Sequence, residues 1–151
     1  MTLVWYAQEL PSSCVAACVR MVLCGFGLNC SEADVRRLIG SSHLGVSLAM
    51  AYTRLVEEGA KMELHSDWNI DDLRDASRAG LAPIVGVERY PLGYASSFHA
   101  IVLVNLGRTT VTAFDPLEGP GTRDYGPRAF ELAWEMAGRE VLVIEQPPPL
   151  P

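Results

Sequence analysis

The sequence lacks any concentration of positive charge and has an excess of acidic residues. Its 12 Lys and Arg residues are outnumbered by 18 Asp and Glu residues, for a formal net charge of -6, and Arg36 and Arg37 are the only adjacent basic pair. Binding to nucleic acid needs a clustered basic surface that contacts phosphate groups. We therefore exclude nucleic acid as a partner.

The sequence also lacks a segment typical of secretion or of a membrane span. The first residues, MTLVWYAQELPSS, contain no basic region followed by a sustained apolar run, which a signal peptide would have. The other apolar runs are too short and too interrupted to cross a bilayer. We therefore expect no membrane span and a cytoplasmic location.

Cysteine is absent beyond position 30. All four cysteines, Cys14, Cys18, Cys24 and Cys30, lie within 17 residues, whereas a disulfide framework distributes them along a small secreted chain. The chain has no Cys-x-x-Cys pair, and a zinc site would need ligands from distant histidines, so we predict neither a metal nor another cofactor. Cys18, Cys24 and Cys30 are interpreted as small, mostly buried apolar residues.

Apolar residues follow helical spacing in the first half of the chain and strand patterns in the second. Helices are predicted at about 12–25, 31–40, 47–58 and 69–80, with a capping-box sequence, SEAD, at Ser31. Strands are predicted at 83–87, 98–104, 109–114 and 140–145, with 61–65 as a further candidate and a last helix at 129–137. This order indicates an α+β fold in one domain, residues 1–146, followed by a proline-rich tail, residues 147–151, that extends without joining a core.

Cys14 lies one or two residues inside the predicted start of the first helix. The free N–H groups and partial positive charge at a helix N-terminus favour the thiolate, which is the nucleophile of cysteine hydrolases. Gln8, six residues upstream across a turn, could join the backbone N–H of Cys14 as a second donor to an oxyanion. Taken singly, Cys14 is better explained as a buried helical cysteine, and Gln8 as a solvated loop residue.

His99 and Asp115 are predicted to lie on two paired strands. His99 opens the apolar run HAIVLV, where its ring nitrogens need partners, and Asp115 ends a strand before Pro116, which holds it extended. Counting outward from a turn at 106–108 places Asp115 opposite His99, where a carboxylate would orient the imidazole. A structural histidine and a turn-forming aspartate are the alternatives, but the joint arrangement with Cys14 and Gln8 favours a catalytic site.

The string QELPSSCVAACVRMVL, the run HAIVLV and the FDP around Asp115 resemble the double-glycine leader peptidases fused to bacteriocin exporters, and their free-standing papain-like relatives. The resemblance spans nearly the whole chain and implies a papain-like fold, with N-terminal helices packed on a C-terminal antiparallel sheet. It makes Cys14 the nucleophile, His99 the base, Asp115 the orienting residue and Gln8 the oxyanion donor of a cysteine peptidase.

Two positions beside the nucleophile depart from this pattern, since Val15 and Ser13 stand where the family usually has glycine and often has an acid. No transporter segment follows, so we expect a free-standing form that hydrolyses a peptide or protein substrate after small residues. Acyl transfer by the same triad and a non-catalytic peptide-binding module are the alternatives, with the PPPLP tail as a possible polyproline ligand. The sequence predicts no oligomeric state.

Overall fold

The computed structural model describes residues 1–149, in which helices cover both faces of one β-sheet. The α-helices in this range are α1 (Cys14–Gly25), α2 (Glu32–Ile39), α3 (Leu48–Glu57), α4 (Ile70–Arg78) and α5 (Pro127–Met136). The strands are β1 (Lys61–His65), β2 (Ile84–Glu88), β3 (Phe98–Leu106), β4 (Val111–Asp115), β5 (Glu118–Tyr125) and β6 (Val141–Gln146). None of the helices within residues 1–149 is long and apolar enough to cross a membrane.

The six strands pair antiparallel in the order β1-β6-β2-β3-β4-β5. Helices α1 to α3 bury their apolar faces against one side of the sheet, and α4 and α5 bury theirs against the other. The predicted α+β fold, with N-terminal helices packed on an antiparallel sheet, is confirmed. The sequence patterns did not predict that α4 and α5 would form a second helical layer on the opposite face of the sheet.

The central position of β3 explains its nearly continuous burial from His99 to Leu103. Ala100 and Val102 contribute to the core beneath α1, whereas Ile101 and Leu103 contribute to the core beneath α5. Because helices cover both faces, the strand lacks the alternation of a half-exposed strand. Helix α1 packs directly on β3, which brings the start of α1 to the end of the strand that carries His99.

Local hydrogen bonds define where α2 begins and ends. Ser31 Oγ accepts from the Asp34 backbone N–H at 3.1 Å, and Asp34 Oδ2 accepts from the Ser31 N–H at 3.0 Å, so the predicted capping box is present. The helix ends at Gly40, whose φ of 71° is the left-handed conformation that glycine adopts without steric cost.

Strand β5 has no counterpart among the predicted strands. Its sequence, EGPGTRDY, contains Gly-Pro-Gly and three charged residues, so it lacks a β-branched pattern. It lies at the edge of the sheet and, among the strands of residues 1–149, pairs only with β4. Proline is tolerated at an edge because no second strand needs its missing N–H.

The described part of the proline-rich tail contacts the domain. Pro148 is buried, and Pro149 Cδ lies 3.1 Å from the point that a Cβ on Gly59 would occupy. The predicted separation of the tail from the core therefore does not hold for Pro148 and Pro149. Leu150 and Pro151, the end of the predicted tail, lie outside the described residues.

Candidate active site

Cys14 is the first residue of α1, and a hydrogen-bonded turn holds it there. Ser13, the residue before it, is almost completely buried. Its hydroxyl accepts from the Leu10 N–H at 3.0 Å and lies 3.0 Å from Glu32 Oε1, to which it can donate. The backbone N–H of Ala17 donates to the Ser13 carbonyl at 2.9 Å and closes the first helical turn. Cys14 therefore lies at a fixed helix N-terminus, where backbone N–H groups favour a thiolate.

A buried carboxylate that the sequence analysis missed anchors this turn. Glu32 is completely buried, and its Oε1 accepts from the Glu9 N–H at 2.9 Å as well as from Ser13. Its Oε2 lies 3.2 Å from Arg36 Nε, and Arg36 Nη2 lies 3.5 Å from Glu9 Oε1. The only signal in the sequence was the acid inside SEAD, which predicts a helix start and says nothing about burial.

His99 and Asp115 form a buried pair. His99 Nε2 lies 2.7 Å from Asp115 Oδ1, and the two side chains are 4% and 1% exposed. The predicted direct opposition is wrong by two residues: Val102 pairs with Phe114, so the register continued outward places Asp115 opposite Ile101. Because a shift of two keeps both side chains on one face, the diagonal neighbours still meet.

Three hydrogen bonds hold Asp115 in place, including the one to His99. Its Oδ1 also accepts from the Leu117 N–H at 2.8 Å, and its carbonyl accepts from Trp5 Nε1 at 2.7 Å. Because Asp115 Oδ1 is bonded to His99 Nε2, the imidazole is oriented with Nδ1 as the nitrogen left for Cys14. An oriented imidazole with one nitrogen on a carboxylate and the other toward a thiol is the arrangement of a Cys-His-Asp triad.

The pKa values of Cys14 and His99 are shifted in directions that favour an ion pair. Burial alone would raise the pKa of Cys14, but the hydrogen bond and charge of His99, with backbone hydrogen bonds from Ala100 and Val15, lower it below its ordinary value. Burial alone would lower the pKa of His99, but its hydrogen bonds to Asp115 and Cys14 raise it to about 9. A thiolate facing an imidazolium is the reactive form of such a pair.

Gln8 is tied to the same region, although its amide has other partners in this structure. The Gln8 backbone N–H donates to the Pro116 carbonyl at 3.0 Å, next to Asp115. Its side-chain Nε2 donates to the carbonyls of Leu10 at 2.8 Å and Pro11 at 3.1 Å, within the turn that leads to Cys14. To donate to an oxyanion, Gln8 Nε2 therefore has to break its hydrogen bond to the carbonyl of Leu10 or to that of Pro11.

The other three cysteines have no contact with His99 that would activate their thiols. Cys18 is fully buried, donates its S–H to the Ala100 carbonyl at 3.4 Å, and has its pKa raised by burial. Cys24 and Cys30 are free thiols with their sulfurs 3.9 Å apart. Within residues 1–149 no group of three or more His, Cys, Asp or Glu side chains could hold a metal ion.

A groove of about 210 Å³ opens beside Cys14 and His99. Its walls come from α1, from the residues around the start of α3, from β2 and β3, and from the turn between α5 and β6. The lining residues are Cys14, Val15, Val46, Ser47, Leu48, Gly86, Phe98, His99, Ala100, Ala137 and Glu140. A peptide lying in this groove would therefore contact both the thiol and the imidazole.

Comparison with known proteins identifies the relatives of this chain. No family model matches the sequence. An uncharacterized protein of Methanothermobacter thermautotrophicus is 30% identical over 147 residues, which cover 93% of this chain and 87% of that protein. The chain belongs to the family of that protein.

Solved structures identify the fold. It matches a C39-like peptidase candidate from Bacillus anthracis with a TM-score of 0.78 and 15% identity, over 99% of this chain and 100% of the other. It matches the peptidase domain of Streptococcus ComA, a bifunctional ABC transporter of a quorum-sensing pathway, with a TM-score of 0.74 and 18% identity over 98% and 100%. A double-glycine-motif protease from an AMS/PCAT transporter, crystallised with its leader peptide, gives 0.73 and 17% over 97% and 92%. The resemblance to double-glycine peptidases is thus confirmed for the fold.

Proposed function

We propose that this protein is a cysteine peptidase with Cys14 as nucleophile, His99 as acid and base, and Asp115 as the residue that orients His99. The observation that carries the proposal is the 2.7 Å contact between His99 Nε2 and Asp115 Oδ1 beside a cysteine at the first position of a helix. The lowered pKa of Cys14 and the raised pKa of His99 support it, because together they favour the thiolate and imidazolium.

In this mechanism the Cys14 thiolate attacks the carbonyl carbon of the scissile peptide bond. The backbone N–H of Cys14 and the amide of Gln8 donate to the resulting oxyanion. The His99 imidazolium gives its proton to the leaving nitrogen, so the C–N bond breaks, the amine product departs and a thioester remains. His99 then takes a proton from water, whose oxygen attacks the thioester carbon, and the C–S bond breaks. Cys14 leaves as the thiolate beside the imidazolium, and the second product is released as a carboxylic acid that loses its proton to solvent.

The substrate we propose is a peptide or protein cleaved after a small residue. The double-glycine-motif protease with the same fold was crystallised with a leader peptide, and Val15, beside the nucleophile, contributes to the wall of the groove here. We expect Val15→Gly to widen the choice of residue at the cut. A peptide library analysed by mass spectrometry measures this choice, and a preference for large, aromatic or acidic residues at the cut would contradict it.

The test of the catalytic proposal is selective labelling of Cys14. Iodoacetamide at substoichiometric concentration, followed by peptide mapping, should modify Cys14 before Cys24, and Cys14→Ala should lose both the labelling and the hydrolysis of any library peptide. Cys24→Ala is the matched control and should retain both. Hydrolysis that persists in Cys14→Ala would overturn the proposal, and products joined to an added amine instead of water would indicate acyl transfer.

A further inference from the structure

The groove beside Cys14 contains a carboxylate that the proposed mechanism does not use. Glu140 lies just before β6, is half-buried, and lines the same groove as Cys14 and His99. A half-buried carboxylate between mainly apolar walls is a favourable partner for a cation or a hydrogen-bond donor of a bound ligand.

No cation within residues 1–149 pairs with Glu140, because none of the ion pairs in this range includes it. The adjacent Arg139 is held elsewhere: its Nη1 donates to the Trp68 carbonyl at 3.2 Å, its Nη2 pairs with Glu135, and its guanidinium lies 5.4 Å from the centre of the Trp134 ring. Glu140 is therefore a carboxylate of the groove without a cationic partner among residues 1–149.

The position of Glu140 is fixed by its backbone. Its carbonyl accepts from Trp134 Nε1 at 3.2 Å and from the Gly86 N–H at 3.3 Å. Gly86 has no side chain of its own to fill the groove. A Cβ added at Gly86 would lie 3.8 Å from Ala137 Cβ and 3.9 Å from Glu140 Oε1. The glycine thus leaves open a space that ends at the carboxylate.

The remaining walls suit a long aliphatic stem. Val15, Val46, Leu48 and Phe98 line the groove, and Lys and Arg side chains bury their methylene groups along apolar surface while the charged end reaches a polar partner. The net charge of -6 adds a general attraction for a cationic peptide.

We propose that this pocket binds a Lys or Arg side chain of the substrate peptide and that Glu140 determines this specificity. Because Cys14 and His99 line the same groove, and each residue of an extended chain spans about 3.3–3.6 Å, the basic residue lies one or two positions before the small residue at the cut. This inference rests on the proposed peptidase function, and the small residue at the cut occupies a different position of the same peptide.

The test uses tripeptidyl chloromethyl ketones with Gly next to the reactive carbon and Lys, norleucine or Glu at each of the other two positions. Sγ of Cys14 would displace chloride and form a thioether, so the labelling rate followed by mass spectrometry reports recognition without turnover. At one position we expect Lys to react about tenfold faster than norleucine, with Glu slowest, and the preference to shrink at high salt.

Three variants locate the effect. Glu140→Gln should remove the preference for Lys over norleucine, and Glu140→Lys should reverse it toward Glu. Gly86→Leu should slow every peptidyl reagent by filling the space before the carboxylate. Glu57→Gln, an equal charge change at an exposed position at the end of α3, is the matched control and should keep the preference.

The outcomes separate this inference from the peptidase proposal. Rapid labelling of Cys14 by iodoacetamide and by all peptidyl reagents alike, or a Lys preference that survives in Glu140→Gln, would overturn the inference and leave the peptidase proposal standing. A Cys14 that reacts with neither kind of reagent would overturn the peptidase proposal itself.

Discussion

Among single residues, His99 connects the other members of the candidate site. Its Nε2 is occupied by Asp115, and its interaction with Cys14 both lowers the pKa of the thiol and raises its own. Removal of His99 should therefore change the protonation of Cys14 as well as abolish proton transfer, whereas removal of a structural histidine would change only stability.

The first prediction is a pH profile. Since the pKa of Cys14 is lowered and that of His99 is raised to about 9, the alkylation rate of Cys14 should persist well below pH ~8.5, where an ordinary thiol loses its reactivity. Turnover needs the protonated imidazole, so it should fall as the pH rises through about 9. In His99→Ala the alkylation profile should move to higher pH.

His43→Ala is the control for this measurement, because the His43 side chain is exposed and the hydrogen bond to Ser12 in the turn before α1 is made by the His43 backbone carbonyl. Its profile should match that of the unmodified protein. An alkylation profile that is unchanged in His99→Ala would mean that His99 does not interact with the thiolate.

The second prediction separates Gln8 from the thiol. Gln8→Ala should leave the alkylation rate of Cys14 nearly unchanged, because the amide stabilises charge on the substrate, not on sulfur. Turnover should fall about 100-fold or more, the usual cost of one oxyanion donor. Gln8→Glu, which keeps the size and removes the N–H donors, should lower turnover similarly. Normal turnover in both variants would leave Gln8 with the structural role indicated by its bonds to Leu10 and Pro11.

Between elements, the turn from Glu9 to Ser13 connects the N-terminal segment to α1, and α2 supplies its anchor. Glu32 reaches from the first position of α2 to the Glu9 N–H and the Ser13 hydroxyl. The loop before His99 has a comparable anchor at the end of β2, since Glu88 accepts from Ser96 Oγ at 2.5 Å and from the Tyr90 N–H at 2.6 Å. Both segments that meet at the site are thus held by buried carboxylates.

The third prediction concerns Glu32. Glu32→Ala leaves Ser13 Oγ, the Glu9 N–H and Arg36 without their buried acceptor, so the free energy of unfolding should fall by about 3–5 kcal/mol. Glu32→Gln keeps an acceptor for Ser13 and should cost less. Urea denaturation measures stability, and alkylation at a pH where both variants are folded should show a slower reaction of Cys14, since the helix start is less well ordered.

Glu57→Gln is again the matched control and should unfold like the original protein. If Glu32→Ala were as stable as this control and its Cys14 reacted at the normal rate, the turn would not depend on Glu32.

How far the sequence predicts these features depends on how local they are. The capping box at Ser31 and the helix start at Cys14 follow from neighbouring residues, and the pairing of β3 with β4 follows from strand patterns and a short turn. The exact register does not follow from the sequence, because pairing starts at Leu106 and Val111 and a bulge between Leu103 and Asn105 then shifts it by one residue. The net difference from the predicted register is two residues, so His99 still meets Asp115. Burial of Glu32 depends on contacts among three distant segments, which no local pattern encodes.

Across the whole molecule, the N-terminal segment joins the two halves of the site. It crosses from α1 to the β4–β5 end of the sheet, where Trp5 Nε1 donates to the Asp115 carbonyl and the Gln8 N–H donates to the Pro116 carbonyl. Trp5 lies directly over Gly119 in β5. The edge strand that the sequence patterns did not predict therefore supports the segment that carries Gln8.

The last prediction tests this support. A Cβ on Gly119 would lie 2.1 Å from Trp5 Cε2, a distance at which the indole must move, so Gly119→Ala should lower the free energy of unfolding by about 1–3 kcal/mol. Displacement of Trp5 also removes its hydrogen bond to Asp115, so turnover should fall more than Cys14 alkylation. Gly126→Ala is the matched control, because a Cβ there meets no atom within 4 Å and its φ of -66° suits alanine. If Gly119→Ala and Gly126→Ala had the same stability and turnover, the site would not depend on the contact between Trp5 and β5.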